Sequence, residues 1–167
     1  MTLLDRLLGH DAWTTRQMLL VCKPLPNAQL DANFDMSHGS VRSTFLHILR
    51  NMEAWTDVME GRPIRAKRDD EPDQRSIDGM LKRLDLAARD LASVAKDVEA
   101  RNGWDETWHD PTDQAEPEKT YGGTIVHLIT HSMHHRGQLI FMLRKLGVAN
   151  IPEGDALFWE LQLGHEA

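Results

Sequence analysis

Four histidines fall within nine positions near the C-terminal end of the chain, in the stretch TIVHLITHSMHHRGQLIFMLRKLG. Imidazole nitrogens bind zinc, copper, iron and nickel ions. His131 and His135 are four residues apart, so on a helix their rings lie on the same side, one turn apart. Such a pair can hold one metal ion, as in other helical His-x-x-x-His sites. The alternative interpretation is a polar helix face whose histidines have solvent or backbone partners.

A helical wheel separates these histidines into two groups. With Ile125 at zero and about 100° per residue, His135 lies at about 280° and His131 at about 240°, on the edge of the apolar face. His127 and His134 lie at about 200° and about 180°, on the far side of the helix. The wheel therefore selects His131 and His135 as the candidate ligand pair. The apolar face itself is broad, from about 300° through zero to about 80°, and comprises Leu128, Leu139, Leu146, Ile125, Ile129, Met133, Ile140 and Leu143.

A metal with protein ligands normally needs three or four of them, so a further ligand has to come from elsewhere in the chain. Spacing favours His47, which lies on a regular helix pattern with Asn51 and Trp55 on the same stripe. With Phe45 at zero, however, His47 falls at about 200°, away from the main apolar face of that helix. The remaining histidines lie beside a glycine, in loops or near the chain end, and are weaker candidates: His10, His38, His109 and His165.

The elements that must position these histidines are helical almost throughout. Apolar residues at three- and four-residue spacings predict four long helices and a short last helix, over residues 2–22, 41–60, 77–100, 124–147 and 154–163. Ser40 and Ser76 are suitable N-caps for the second and third helices, and Gly61 followed by Pro63 ends the second. A short extended piece is expected between residues 104 and 108.

These elements predict an all-α fold, a four-helix bundle with a short additional C-terminal helix. The length of 167 residues is most simply a single helical bundle domain over residues 1–167. The connections after the first and third helices are long enough for a crossover topology as well as a simple up-down one.

Composition and charge exclude several classes of function. The 19 basic and 26 acidic residues give a net charge of -7, and the densest basic stretch, GRPIRAKRDDEPDQR, is interrupted by acids and reads as a solvated loop. We therefore expect no nucleic-acid partner. No apolar run approaches the roughly 20 residues that span a bilayer, so no membrane partner is expected either. With Cys22 as the single cysteine and no signal-peptide pattern, a cytoplasmic protein is expected.

Three segments of the chain resemble the DinB family, within the DinB/YfiT-like metalloenzyme group: STFLHILRNMEAWTDVMEG, GGTIVHLITHSMHHRGQLIFMLRKLGV and the tail IPEGDALFW. The resemblance extends over essentially the whole chain, and the His-x-x-x-His-Arg-Gly-Gln stretch from His131 to Gln138 is its most specific part. It implies a DinB/YfiT-like four-helix bundle that holds a divalent metal ion through one histidine on the second helix and two on the late helix. Those positions match His47, His131 and His135. The resemblance also implies a homodimer.

Three neutral imidazoles leave at least one coordination position open, which is typical of catalytic metal sites. Our first hypothesis is a divalent-metal-dependent enzyme with a small-molecule substrate, either a hydrolase or a transferase that depends on a low-molecular-weight thiol. The alternative is a non-catalytic metal-binding module, stress-linked and acting by binding or interaction.

Zinc or nickel is expected first, with iron or manganese as alternatives. No catalytic residue can be named from the sequence, so whether the protein is an enzyme stays open. Because ligand imidazoles must be neutral, affinity for the ion is expected to fall below about pH 6.5.

We also predict the surroundings of four polar residues near the candidate ligands. Arg136 lies at about 20° on the wheel, within the apolar face, and a buried guanidinium needs a carboxylate or several carbonyl partners. Gln138 lies close to His131 on the wheel and is a candidate for orienting it. Glu53 and Asp57 are the nearest acids to His47 in sequence, and we expect them to be solvated.

Overall fold

The computed structural model describes residues 1–36, 38–109 and 118–163. Its elements follow one another along the chain as α1 (Leu3–Val21), α2 (Asn27–Leu30), α3 (Val41–Met59), α4 (Pro72–Arg75), α5 (Ile77–Ala100), β1 (Thr107–Trp108), β2 (Lys119–Thr120), α6 (Tyr121–Lys145) and α7 (Ala156–Leu163). The four long helices α1, α3, α5 and α6 and the short C-terminal α7 confirm the predicted all-α bundle.

The long helices begin where side-chain oxygens can satisfy the free backbone N–H groups of a first turn. Ser40 accepts from the backbone N–H of Ser43 at 3.1 Å, and Ser76 accepts from that of Gly79 at 2.9 Å. Both serines are therefore the N-caps predicted from the sequence. Thr2 caps α1 in a capping box with Asp5, and Thr120 caps α6 in the same way as the serines.

The order of the helices around the bundle sets which faces can share a site. Helix α1 packs against α5 and α6, and α3 also packs against α5 and α6. The consecutive long helices α1 and α3 therefore lie diagonally opposite each other, as do α5 and α6. This is the crossover topology that the long connections allowed, and it places α3 beside α6, the two helices that carry the candidate metal ligands.

Three local elements differ from the sequence prediction. Helix α6 begins at Tyr121, three residues earlier than expected, and its first turn includes Gly122. A Cβ atom at Gly122 would lie 2.9 Å from the backbone oxygen of Trp104, so glycine there reflects close packing instead of a loop. The expected extended piece is a two-residue strand, β1, paired antiparallel with β2. The short helices α2 and α4 occupy stretches that were predicted as loops.

The buried face of α6 is narrower than the apolar face on the wheel. Ile125, Leu128, Leu139 and Leu143 are buried, whereas Met133 is 59% exposed and Ile140 is only partly buried. The core therefore meets α6 at wheel angles between about 260° and about 20°, and the side near 80° faces solvent. His135, at about 280°, lies inside the buried sector and is only 7% exposed.

The outer side of α6 carries exposed apolar residues that the wheel had assigned to the core or left unplaced. Val126 is 60% exposed, and Met133 and Phe141 are also exposed. Gly137 lies between them in sequence, and a Cβ atom there would meet no described atom within 4 Å. Close packing inside the chain therefore does not explain this glycine. Across the described ranges, no helix has the length and apolar character needed to cross a membrane.

Arg136 is buried and has the carboxylate partner that its wheel position required. Its guanidinium pairs with Asp11 of α1 and donates to the hydroxyls of Ser132 at 2.8 Å and Thr15 at 3.1 Å. Arg136 and Asp11 are 4% and 3% exposed. The expected structural pairing is confirmed, and it fixes α6 against α1.

The expectation of solvated acids on α3 is wrong. Glu53 is buried and accepts from the Nε and Nη2 atoms of Arg83 on α5 at 2.9 and 2.7 Å. Asp57 is buried too, and it accepts from the backbone N–H and the guanidinium of Arg65. The basic loop is thus only partly a solvated segment, because Arg65 ties it to α3. Sequence periodicity missed these pairs because each partner lies on another element.

Candidate metal centre

The candidate site lies between α3 and α6, with one candidate ligand on α3 and two on α6. His47 is partly buried although it lies off the main apolar face of α3. That main face packs against α5 and the core, while the stripe of His47, Asn51 and Trp55 borders α6. A bundle helix that touches two neighbours has two inward sides, so the wheel for α3 alone gave a misleading position for His47.

Ring nitrogens of three histidines lie close together, with His131 Nε2 next to those of the other two. His131 Nε2 lies 3.1 Å from His47 Nε2 and 3.1 Å from His135 Nε2. Nitrogens that share a tetrahedral zinc ion at 2.0–2.1 Å lie about 3.3 Å apart. One proton on His131 Nε2 can serve only one of its two neighbours, whereas a single cation can accept all three lone pairs. The spacing and the chemistry of this donor set fit a divalent metal ion.

Gln138 orients one of these rings. Its Oε1 atom lies 2.7 Å from His135 Nδ1, so this nitrogen carries the proton and donates it to the amide oxygen. The lone pair of His135 is then on Nε2, the atom that faces the other two histidines. This is the arrangement usual around metal-binding histidines. The helical wheel predicts that Gln138 lies close to His131, but in the structure its Oε1 contacts His135 and its Nε2 lies 3.1 Å from His134 Nε2.

Asn51 is a site residue that the sequence analysis did not single out. Its Nδ2 atom lies 2.9 Å from His47 Nε2 and 3.4 Å from His131 Nε2. An amide nitrogen is only a donor, so it requires lone pairs on the ring nitrogens that it faces. The signal was present in the sequence, because Asn51 follows His47 by one helical turn, but its contact with His131 depends on the packing of α3 against α6.

A fourth histidine, His38, lies at the same site. Its ring stacks on that of His47 with centroids 3.6 Å apart and an interplanar angle of 27°, and its centroid is 5.2 Å from that of His135. Ligand atoms of His38, His47 and His135 all lie within 4.8 Å of one another. His38 belongs to the exposed connection before α3. From the sequence His38 is a weak candidate, because a position in a loop does not indicate which side of the bundle the residue covers.

Burial keeps these imidazoles neutral. Desolvation, reinforced by the neighbouring histidines, lowers the pKa of His47 to about 4 and that of His131 to about 4. Desolvation also lowers the pKa of His135 and that of His38. The rings are therefore unprotonated at neutral pH, as metal ligands must be. The loss of metal affinity, expected from the sequence below about pH 6.5, should accordingly begin at lower pH.

The other histidines have different surroundings. His127 and His134 are exposed, on the side of α6 where the wheel placed them. The ring of His127 lies 6.2 Å from that of Trp55 and 5.3 Å from that of His131. His10 Nε2 lies 2.8 Å from the backbone oxygen of Gly154 and so takes part in holding the connection before α7. His109 is exposed, and His165 lies outside the described residues.

The DinB family model matches residues 1–161, nearly the entire chain. The chain belongs to the DinB family. A solved structure, the crystal structure of a DinB-like protein from Bacillus cereus, has a similar fold, with a TM-score of 0.64 at 17% sequence identity. The alignment covers 86% of this chain and 90% of that one. At this identity the likeness supports the fold alone. No curated protein matches the sequence significantly.

Proposed function

We propose that this DinB-family protein binds one divalent metal ion through His47, His131 and His135 and acts on a small molecule at that ion. The observation that carries the proposal is the proximity of three neutral imidazoles, since the Nε2 atoms of His47 and His135 each lie 3.1 Å from that of His131. The family pattern matches the same three positions. Zinc and nickel suit this donor set best, and iron or manganese are the alternatives.

The reaction classes that fit the site are hydrolysis and transfer of a group to a low-molecular-weight thiol. When bound, the ion would make a coordinated water more acidic or hold a thiolate or a carbonyl oxygen. The chain supplies orientation: Gln138 fixes the tautomer of His135, and the Asn51 amide points donors into the site. Glu53 and Asp57 are not suited to act as a general base, because arginines hold both carboxylates.

The second candidate is a metal-binding helical module without turnover, which would act by binding or interaction in a stress-linked role. The presence of His38 beside the rings of His47 and His135 favours it, because a fourth imidazole can complete a tetrahedral coordination sphere. The two candidates share the three helical ligands His47, His131 and His135, and they differ in whether a small molecule can reach the ion.

Metal analysis of the purified protein tests the shared part of both candidates. We expect close to one divalent ion per chain in the wild type and little in the His47→Ala and His135→Ala variants. The protein restored with zinc or nickel is then screened with activated esters and amides, and with electrophiles in the presence of small thiols. Turnover that disappears with the metal supports the enzyme. A metal-loaded protein without turnover in either screen favours the binding module. Full metal occupancy in both variants would refute the site.

A further inference from the structure

We propose that His38 is a fourth metal ligand, supplied by the connection before α3, and that it closes the coordination sphere in the resting protein. The inference rests on the proposed metal site and concerns the position that three helical histidines leave open. It assigns to His38 a role that neither the sequence spacing nor the family pattern gave it.

Three geometric observations place His38 at this position. A ligand atom of His38 lies within 4.8 Å of those of His47 and His135. The His38 and His47 rings are stacked, with 3.6 Å between centroids. The His38 ring also lies 5.2 Å from that of His135, across the site. His38 therefore adjoins both helices that carry the other ligands, and its ligand atom, within 4.8 Å of theirs, needs to approach them by at most about 1.5 Å to reach the spacing of a tetrahedral site.

The backbone around His38 holds the ring over the site. Gly39, the next residue, has a φ of +83°, a left-handed conformation that glycine adopts without strain. Its carbonyl accepts from the N–H of Phe34 at 2.6 Å, and its N–H donates to the carbonyl of Met36 at 3.0 Å. Ser40 then caps α3. These hydrogen bonds hold the backbone on both sides of His38 just before the helix begins, and the His38 ring lies against that of His47, which is on the second turn of α3.

The four histidines differ in how firmly the fold holds them. His47, His131 and His135 are carried by long helices of the bundle, and His135 is buried. His38 is exposed and lies on a connection. The helical three therefore form the permanent part of the site, whereas His38 is the ligand that an incoming thiolate or water-derived anion can displace. A resting site with four imidazoles would also be protected from adventitious small anions.

X-ray absorption of the zinc-loaded protein tests the number of imidazole ligands directly, and the cobalt-loaded protein reports access by small anions. The wild type should show four imidazoles, and His38→Ala should show three and one oxygen. The variant should keep one ion per chain with affinity weakened at least about tenfold, since even residues that only orient a ligand contribute 10- to 100-fold.

Azide should change the visible spectrum of cobalt-loaded His38→Ala at concentrations that leave the wild type unchanged. His127→Ala, an exposed histidine near the site, serves as the matched control and should behave as the wild type.

The possible failures are distinguishable. Three imidazoles and equal azide sensitivity in the wild type and His38→Ala would overturn the role of His38 and leave the three-histidine site intact. Full metal occupancy in His47→Ala and His135→Ala would overturn the proposed function and this inference together. Circular dichroism at neutral pH checks that each variant folds, and His38→Gln, which keeps a polar side chain on the loop, should reproduce the effect of the alanine.

Discussion

Replacement of His131 by alanine should remove the bound ion while making the metal-free protein less sensitive to acid. His131 Nε2 lies 3.1 Å from the Nε2 atoms of both His47 on α3 and His135 on α6, so it is the central nitrogen of the proposed site. Loss of a residue that merely orients a ligand lowers metal affinity roughly 10- to 100-fold. Loss of the ligand itself should therefore cost at least about 100-fold, or about 2.7 kcal/mol of binding free energy.

The acid effect follows from the lowered pKa of His131. The pKa is about 4 in the folded protein, against about 6.5 in an unfolded chain. Between these two pH values the unfolded state binds more protons, so the free energy of unfolding is constant above about pH 6.5 and declines as the pH falls toward 4. If the whole pKa shift of His131 counted, the free energy of unfolding would be lower by about 2 kcal/mol at pH 5. Since the ring is only half-buried and solvent screens it, we expect about 1 kcal/mol.

The assay compares the metal-free wild type, His131→Ala and His134→Ala by urea unfolding at pH 7 and pH 5. The readout is the difference between the free energies of unfolding at pH 7 and at pH 5. A change in packing that has the same effect at both pH values cancels in this difference. His131→Ala should lose about 1 kcal/mol less than the wild type. His134 is exposed, so its variant should match the wild type in this loss and keep most of its metal.

Two outcomes would refute this reasoning. If His134→Ala loses its metal and His131→Ala retains it, the register of the site along α6 is wrong. If His131→Ala and the wild type lose the same stability between pH 7 and pH 5, the His131 imidazole is not held neutral by its surroundings, and the buried three-histidine cluster is not formed in solution.

Other predictions concern the fold, the support of the site and the partners. Asp11→Ala should lower the free energy of unfolding by about 3–5 kcal/mol, because it leaves the buried Arg136 without its carboxylate; a urea denaturation loss below 1 kcal/mol would contradict the pairing. Gln138→Ala should weaken zinc binding about 10- to 100-fold without unfolding the chain, as measured by competition with a chelating dye. Light scattering should give a dimer mass at micromolar concentration, and Met133→Glu should shift it to a monomer if the exposed apolar side of α6 is the interface. Duplex DNA should not bind with steep salt dependence at physiological ionic strength, as checked by fluorescence anisotropy.

The predictability of the site differs from residue to residue. The pair His131 and His135 follows from the four-residue spacing on one helix, which fixes their relative positions regardless of the rest of the fold. Spacing favours His47 whereas its wheel angle does not, and the family resemblance decides in its favour. Gln138 was assigned to the wrong neighbour, because a wheel gives the angle of a side chain and not the rotamer that decides which ring it reaches. The position of His38 at the site depends entirely on the packed structure, and so does the contact of Asn51 with His131.

The sequence by itself determined the elements: four long helices, the serine caps of α3 and α5, the short last helix and the pair of histidines one turn apart on α6. These depend on contacts between residues close in the chain, and local spacing encodes such contacts. Only the tertiary structure decided which helices are neighbours, which side of α6 faces the core and which acids pair with arginines. It also brought His38 from a connection, and His47 from a side of α3 that the wheel placed away from the core, to the same point. These relations join residues that are distant along the chain, and no single-helix pattern contains the packing that brings them together.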